Sequence, residues 1–341
     1  MYAGSPEYLS LRCAQRYSGE VWRVSGDESE PRLVAVSARV DRLTHELFVA
    51  DAANACIKWF DHRDDTLKQV YRAERGARVH NALLPDARRL DLFAIDSLDN
   101  SGLNKAETRF RLLRLRWTLI KDEEEEVMET WELKWAEEFY RVESEQLDAN
   151  AQHTSLCRAG GHVLCSVALS NRLVAFEYQM EKEEKKKEEE EGRKRKERRK
   201  EEEKKGEAVG DQLFERDILS VDSLNSGTGS LIAIAFVNGI RLYRHTSVQS
   251  EFASFNLQET FYVNRENVHK LLFAGARLLV AVRSQDEKDR VWSMSIVGEK
   301  LDAAERVEHE LQFSMLSWCI GPYGNTFYCV DSVLNDLLKF E

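Results

Sequence analysis

The stretch that decides the fold reads Leu47-Phe48-Val49-Ala50-Asp51-Ala52-Ala53-Asn54-Ala55-Cys56-Ile57-Lys58-Trp59-Phe60-Asp61. Five residues of near-continuous apolar character end on an acid. A short turn containing Asn54 follows, and then a second run in which apolar and polar positions alternate. A strand buried on both faces reads as a continuous apolar run, and a strand with unequal faces reads with period two. The stretch is therefore a strand, a tight turn and a second strand.

The same signal recurs along the chain. Apolar runs stand at Leu92–Asp96, Val163–Val167, Leu231–Ala235, Leu278–Val282 and Phe327–Asp331, and the successive starts are 45, 71, 68, 47 and 49 residues apart. The two long intervals contain polar insertions; without them the spacing is about 45 residues, the length of one four-stranded propeller unit. Each run is followed by an alternating strand, in most copies by a third and more polar strand, and is preceded by an apolar one. The expected fold is all-β: a six-bladed β-propeller of four-stranded antiparallel blades spanning residues 1–341 as a single domain. The last copy supplies three strands before Glu341, so an N-terminal strand is needed to close the ring, and Glu20–Val24 is the expected closing strand. Residues 7–17 read as one further strand without an assigned place.

The run Leu47–Asp61, with Pro31 and an apolar strand before it, resembles an NHL repeat, whose pattern is roughly Leu-Tyr-Val-Ala-Asp, an Asn-containing turn and Ile-x-x-Phe. Phe327–Phe340, with Asp331 and Asn335, is similar to it, and Asp96 keeps the strand-end acid in the second unit. The resemblance implies an NHL-like propeller. A carboxylate at a strand end can accept backbone N–H bonds from the following turn, so Asp51, Asp96 and Asp331 are expected to be structural.

Composition excludes several functions. The chain has 341 residues, 43% of them hydrophobic, and a net charge of -11, so it can build a large core and as a whole repels phosphate backbones. No apolar run approaches the roughly 18 to 20 residues of a spanning helix, and the N-terminal segment lacks a charged-then-apolar leader pattern. The expectation is a cytoplasmic protein without a membrane span. The six cysteines are scattered without CxxC pairing and read as reduced core thiols. There is no GxSxG, phosphate-loop or dinucleotide fingerprint. The Gly-rich run Asn225–Ser230 reads as a hairpin turn.

Two insertions stand out. Residues 181–206, within the third blade, hold 13 basic and 11 acidic residues and no apolar one. This segment buries nothing and is expected to be a solvated helix or disordered. Its sub-run Arg193-Lys194-Arg195-Lys196-Glu197-Arg198-Arg199-Lys200 has the pattern of a nuclear-import signal or of a contact for phosphate or an acidic partner. Residues 121–126 read as an acidic hairpin tip. Trp131, Trp135 and Phe139 after it form an aromatic stripe whether the segment is helical or extended.

Chemistry in a propeller is expected on the axis, where the first strands of the units converge. His80, His153 and His269 lie 12, 10 and 9 residues before their apolar runs. Three neutral imidazoles would hold zinc and leave a position open for water, as NHL-like peptidyl-amidoglycolate lyases place metal ligands on the axis; unrelated strand histidines are the plainer alternative. Asn81, Asp222 and Asn267 are the candidate channel-lining oxygens for a calcium-dependent lactonase or esterase of the gluconolactonase type. Arg72, Arg75, Arg78, Arg88 and Arg89 form a local basic group through which NHL-type binding of single-stranded RNA would act. The leading expectation is a non-enzymatic scaffold that binds a protein partner on its loop faces, with no cofactor; zinc or calcium belongs to the enzyme alternative.

Overall fold

The structure is a computed structural model. It describes residues 10–11, 13–17, 35–40, 46–51, 54–61, 66–73, 77–83, 91–99, 108–120, 130–144, 154–166, 171–177, 210–215, 217–226, 229–236, 239–245, 256–261, 267–283, 289–297, 300–309, 315–320, 327–331 and 337–340. Every secondary-structure element among them is a strand. No helix there is long and apolar enough to cross a membrane.

β1 (Ser10–Leu11) and β2 (Cys13–Tyr17) come first. The first sheet takes β3 (Ala35–Val40), β4 (Glu46–Asp51), β5 (Cys56–Asp61) and β6 (Leu67–Arg72), hydrogen-bonded in that order. The second takes β7 (Ala77–Leu83), β8 (Asp91–Asp99), β9 (Thr108–Ile120) and β10 (Thr130–Ser144), and the third β11 (Ser155–Ala159), β12 (His162–Ser166), β13 (Arg172–Glu177) and β14 (Gly210–Leu213). The fourth takes β15 (Ile218–Ser226), β16 (Gly229–Phe236), β17 (Gly239–His245) and β18 (Asn256–Phe261). The fifth takes β19 (Asn267–Ala274), β20 (Arg277–Arg283), β21 (Asp289–Val297) and β22 (Lys300–His309), with β1 laid parallel along β22. The last takes β23 (Met315–Ile320), β24 (Phe327–Asp331) and β25 (Leu337–Phe340). All pairings but that of β1 are antiparallel, including β13 with β14 across the long insertion and β2 with β25 at the two ends of the chain.

The outer place beside β25 is filled by Cys13–Tyr17, with Tyr17 opposite Leu337 and Cys13 opposite Phe340. This corrects the expectation that Glu20–Val24 stands there; residues 20–24 lie outside the described residues. A register shift between Cys13 and Gln15 inserts an extra residue and breaks the period-two pattern that would have marked this strand. Residues 130–144 are extended, which decides the two readings of Trp131, Trp135 and Phe139 against the helix. Residues 121–126 and 181–206 lie outside the described residues. The Gly-rich run is the expected hairpin turn, with Ser226 opposite Gly229.

The core explains the apolar runs. Along β4, Leu47 and Val49 join one cluster with Cys319, Tyr328, Val330 and Leu337 of the last sheet, whereas Phe48 and Ala50 join another with Val79, Leu92 and Ala94 of the second sheet. Alternate side chains leave opposite faces, so a sheet packed on both sides needs apolar residues at every position. In β20 the same split sends Leu278, Val280 and Val282 toward the fourth sheet and Leu279 and Ala281 toward the last. Each remaining cluster likewise spans two sheets consecutive in the chain. Cys56, Cys157, Cys165, Cys319 and Cys329 are buried free thiols in these layers, and burial, then Cys157, pushes the Cys165 thiol up to about 12.

Candidate functional site

The first strands β3, β7, β11, β15, β19 and β23 touch one another in succession, and β23 also touches β3. Each is the edge of its own sheet, so its outward backbone groups need partners. Side chains from neighbouring first strands supply them. Ser155 Oγ accepts from Val221 N at 3.0 Å, Ser220 Oγ accepts from Leu271 N at 3.1 Å, and Asp222 Oδ2 accepts from Phe273 N at 2.8 Å. Trp318 Nε1 donates to Leu271 O at 2.9 Å, so the backbone N–H and C=O of Leu271 are held from the sheets on the two sides. Ser223 Oγ donates to Arg158 O in the same manner. Asn81 Nδ2 donates to Thr154 O at 3.5 Å, a longer contact across the seam between the second and third sheets.

Asp222 is thus buried and engaged with backbone, and Asn81 is buried at a seam. Removing the Asp222 carboxylate orphans a buried N–H, which costs about 1–3 kcal/mol. Asp222→Ala should lower the denaturant midpoint by a corresponding amount with an unchanged m-value. Asp222→Asn, which keeps an acceptor oxygen, should lower it less; equal loss in the two variants would refute the assigned role.

Bulges recur on these strands. The register shift between Val79 and Asn81 makes His80 an extra residue on β7, and the shift between Val268 and Lys270 does the same for His269 on β19. Val36, Leu219 and Leu316 take the corresponding place on β3, β15 and β23. A bulge re-aims a side chain, and His80 is turned into its own sheet. Its Nε2 shares a 2.7 Å hydrogen bond with Ser97 Oγ, and its ring lies 5.6 Å from that of Phe110. Burial, then the positive charge of Arg78, lowers its pKa to about 4. His80 is a neutral imidazole at pH 7.

The candidate residues are placed as follows. Asn267 opens β19 opposite Arg283, and His269 lies two residues on; neither side chain is among the described ones. Arg72 and Arg78 are exposed on β6 and β7. His153, Arg75, Arg88, Arg89, Arg193, Lys194, Arg195 and Lys196 lie outside the described residues. Among the described residues no three His, Cys, Asp or Glu side chains gather closely enough to hold a metal ion.

Charged groups in the core escaped the sequence reading. Asp51 does accept the turn bond expected of it, from Asn54 N at 3.3 Å, and also accepts from Asn54 Nδ2 at 2.7 Å. It also holds the buried Lys58 ammonium at 3.0 Å. Asp96 is gripped by Arg111, Nε to Oδ1 at 2.9 Å and Nη2 to Oδ2 at 2.7 Å. The available signal was a basic residue in each following strand: Lys58, the one basic residue of Cys-Ile-Lys-Trp-Phe, and Arg111, one of four arginines in β9 and opposite Asp96.

Among solved structures, the chain is similar to the β-propeller domain of Myceliophteria thermophila Cps50 (Swd1), at a TM-score of 0.51 and 11% identity over 89% of this chain and 82% of that one. It is similar to a glucose dehydrogenase, at a TM-score of 0.55 and 12% identity over 90% of this chain and 96% of that one. It is also similar to a chain of the Mitotic Checkpoint Complex, at a TM-score of 0.50 and 12% identity over 99% of this chain and 88% of that one. No protein-family model and no curated protein matches it. Identities this low carry the fold alone, and the fold is of the β-propeller type.

Proposed function

We propose that the chain is a six-bladed propeller of four-stranded blades, closed where β2 completes the last blade, and that it serves as a non-enzymatic scaffold for a protein partner. The run of apolar clusters from each sheet to the next, with Leu47 and Val49 meeting Tyr328 and Val330, supports the closed ring. The observation that carries the function is the use made of Ser155, Ser220 and Asp222. These polar side chains of the first strands, where a propeller enzyme gathers its ligands, fasten one blade to the next. A rigid disc built this way offers its loop faces for docking. The Mitotic Checkpoint Complex chain, similar in fold, is a subunit of an assembly by its description.

On this reading residues 181–206 are a charged secondary contact emerging from blade three, the domain is single, and the blades are of the NHL kind. The test is to isolate the tagged full-length chain from its own cell and map its contacts by cross-linking. A stoichiometric complex with a protein, cross-linked through inter-strand loops and stable to both ribonuclease and a chelator, is the expected result. Loss of the complex on ribonuclease treatment, with weakened binding in Arg88→Glu with Arg89→Glu, would replace the reading by RNA binding. About one equivalent of zinc or calcium that is lost on changing His80, His153 and His269 to Ala would replace it by the enzyme.

A further inference from the structure

His162 opens β12 in the third sheet, and His245 closes β17 in the fourth. Their imidazoles meet at the seam between the two sheets, with ring centroids 5.4 Å apart and planes at 76°. Both residues are buried, at 8% and 2% exposure. Nδ1 of His162 and Nε2 of His245 lie out of contact with solvent.

We propose that His162 and His245 form a two-imidazole clamp for a divalent transition-metal ion such as zinc, nickel or copper, completed by water. A metal–nitrogen bond is about 2.0–2.1 Å and the ring centre lies about 1.1 Å beyond it, so two imidazoles on one tetrahedral ion have centroids about 5 Å apart. The observed separation needs only a small adjustment to meet that span. Edge-to-face packing alone tolerates the same distance, but it does not call for imidazoles, whereas imidazole suits these metals better than any other neutral side chain.

Of the charged side chains on these strands, Arg158 donates from Nε to Gly160 O at 3.2 Å, in the turn before β12. Alternation along the strands sends Arg244 to the face opposite His245, and Arg158, opposite Val163, to the face away from His162. Ser230 stands opposite His245 in the ladder, and Ala159 opposite His162. In the turn that precedes β12, Gly161 is exposed, and a Cβ built there would meet no atom within 4 Å. Because the ligands come from two sheets, a bound ion would pin the seam between them.

The test uses the full chain, stripped with a chelator, dialysed and titrated with zinc by calorimetry. One equivalent should bind, with affinity weakened about tenfold or more in His162→Gln and in His245→Gln, and unchanged in His309→Gln. Wild-type affinity in either seam variant, or no binding by the folded wild type, overturns the proposal. Should either variant fail to fold, the wild type loaded with one equivalent of copper gives an independent reading: coupling of the unpaired electron to two nitrogens is expected, and coupling to one or none overturns the site.

Discussion

Asp51→Ala is expected to be among the most damaging single substitutions in the chain, with a loss of about 3–5 kcal/mol, the usual result of orphaning one partner of a buried ion pair. Asp51 and Lys58 are 0% and 1% exposed, and Nζ lies 3.0 Å from Oδ2. The pair sits on the face of the first sheet that carries Leu47, Val49 and Phe60 against the last sheet, because Lys58 is the cross-strand partner of Val49 and Asp51 lies two residues along. Without the carboxylate, an ammonium is left among aliphatic and aromatic side chains with no water to solvate it. Lys58→Met should cost less, toward the lower end of the range, because Asn54 still gives Asp51 two hydrogen bonds. The double variant, Asp51→Ala with Lys58→Met, should be more stable than Asp51→Ala alone, since it removes the stranded charge. Chemical denaturation of the four proteins closes the cycle. If the single losses simply added in the double variant, the pair would not be energetically coupled and the assignment would fail.

The same comparison shows what the residues reveal before any coordinates are known. The strand-end acids were readable from the pattern, and the turn bond of Asp51 is as expected. Their cations were not, because the two acids solve one problem in two ways: Asp96 takes Arg111 from directly opposite, and Asp51 takes Lys58 from a diagonal position. A Lys or Arg in an alternating strand reads as a solvated face until the strand beside it and the sheet packed over it are known. The apolar runs were legible for the opposite reason: packing on both faces asks for an apolar residue at successive positions of the second strand, so the sequence carries the constraint over a whole run.

Outer strands were harder to read. β14 is four residues, Gly-Asp-Gln-Leu, and follows the charged insertion; β2 is broken by its bulge. One side of such a strand meets few neighbours, so period two is weakly imposed. The seam bonds were hidden more completely. Val221 to Ser155 and Phe273 to Asp222 span 66 and 51 residues, and a side chain that serves another unit's backbone has no local signature. Asp222 and Asn81 lie on first strands, where a polar residue is expected to face the axis; Asp222 accepts from Phe273 N of β19, and Asn81 donates to Thr154 O just before β11. His80 and His269 prove equivalent by register, because an identical bulge carries both, although their spacings to the following apolar run differ by three residues.

His80 supplies the other large effect, in the dependence of stability on pH. Its ordinary value of 6.5 falls to about 4 in the folded protein, first by burial and then by the Arg78 charge. Above pH 6.5 the group is neutral in folded and unfolded chains alike and contributes no slope. As the pH falls below 6.5 the unfolded chain takes up a proton that the folded chain refuses, so stability declines by up to about 1.4 kcal/mol per pH unit. The decline from this residue amounts to about 3 kcal/mol by pH 4 and levels off below, where the folded form is protonated too. His80→Gln removes the titration while leaving a polar group for Ser97, so its stability curve should be flatter than that of the wild type between pH 6.5 and 4 and run parallel to it above. Carboxylates titrating in the same acidic range affect both proteins and cancel in the difference. Arg78→Ala, which removes the smaller cause, should move the midpoint of the decline only slightly. Direct observation of the imidazole by NMR gives the decisive reading: a His80 resonance that titrates near 6.5 in the folded protein would mean that the ring is hydrated and not packed between Ser97 and Phe110.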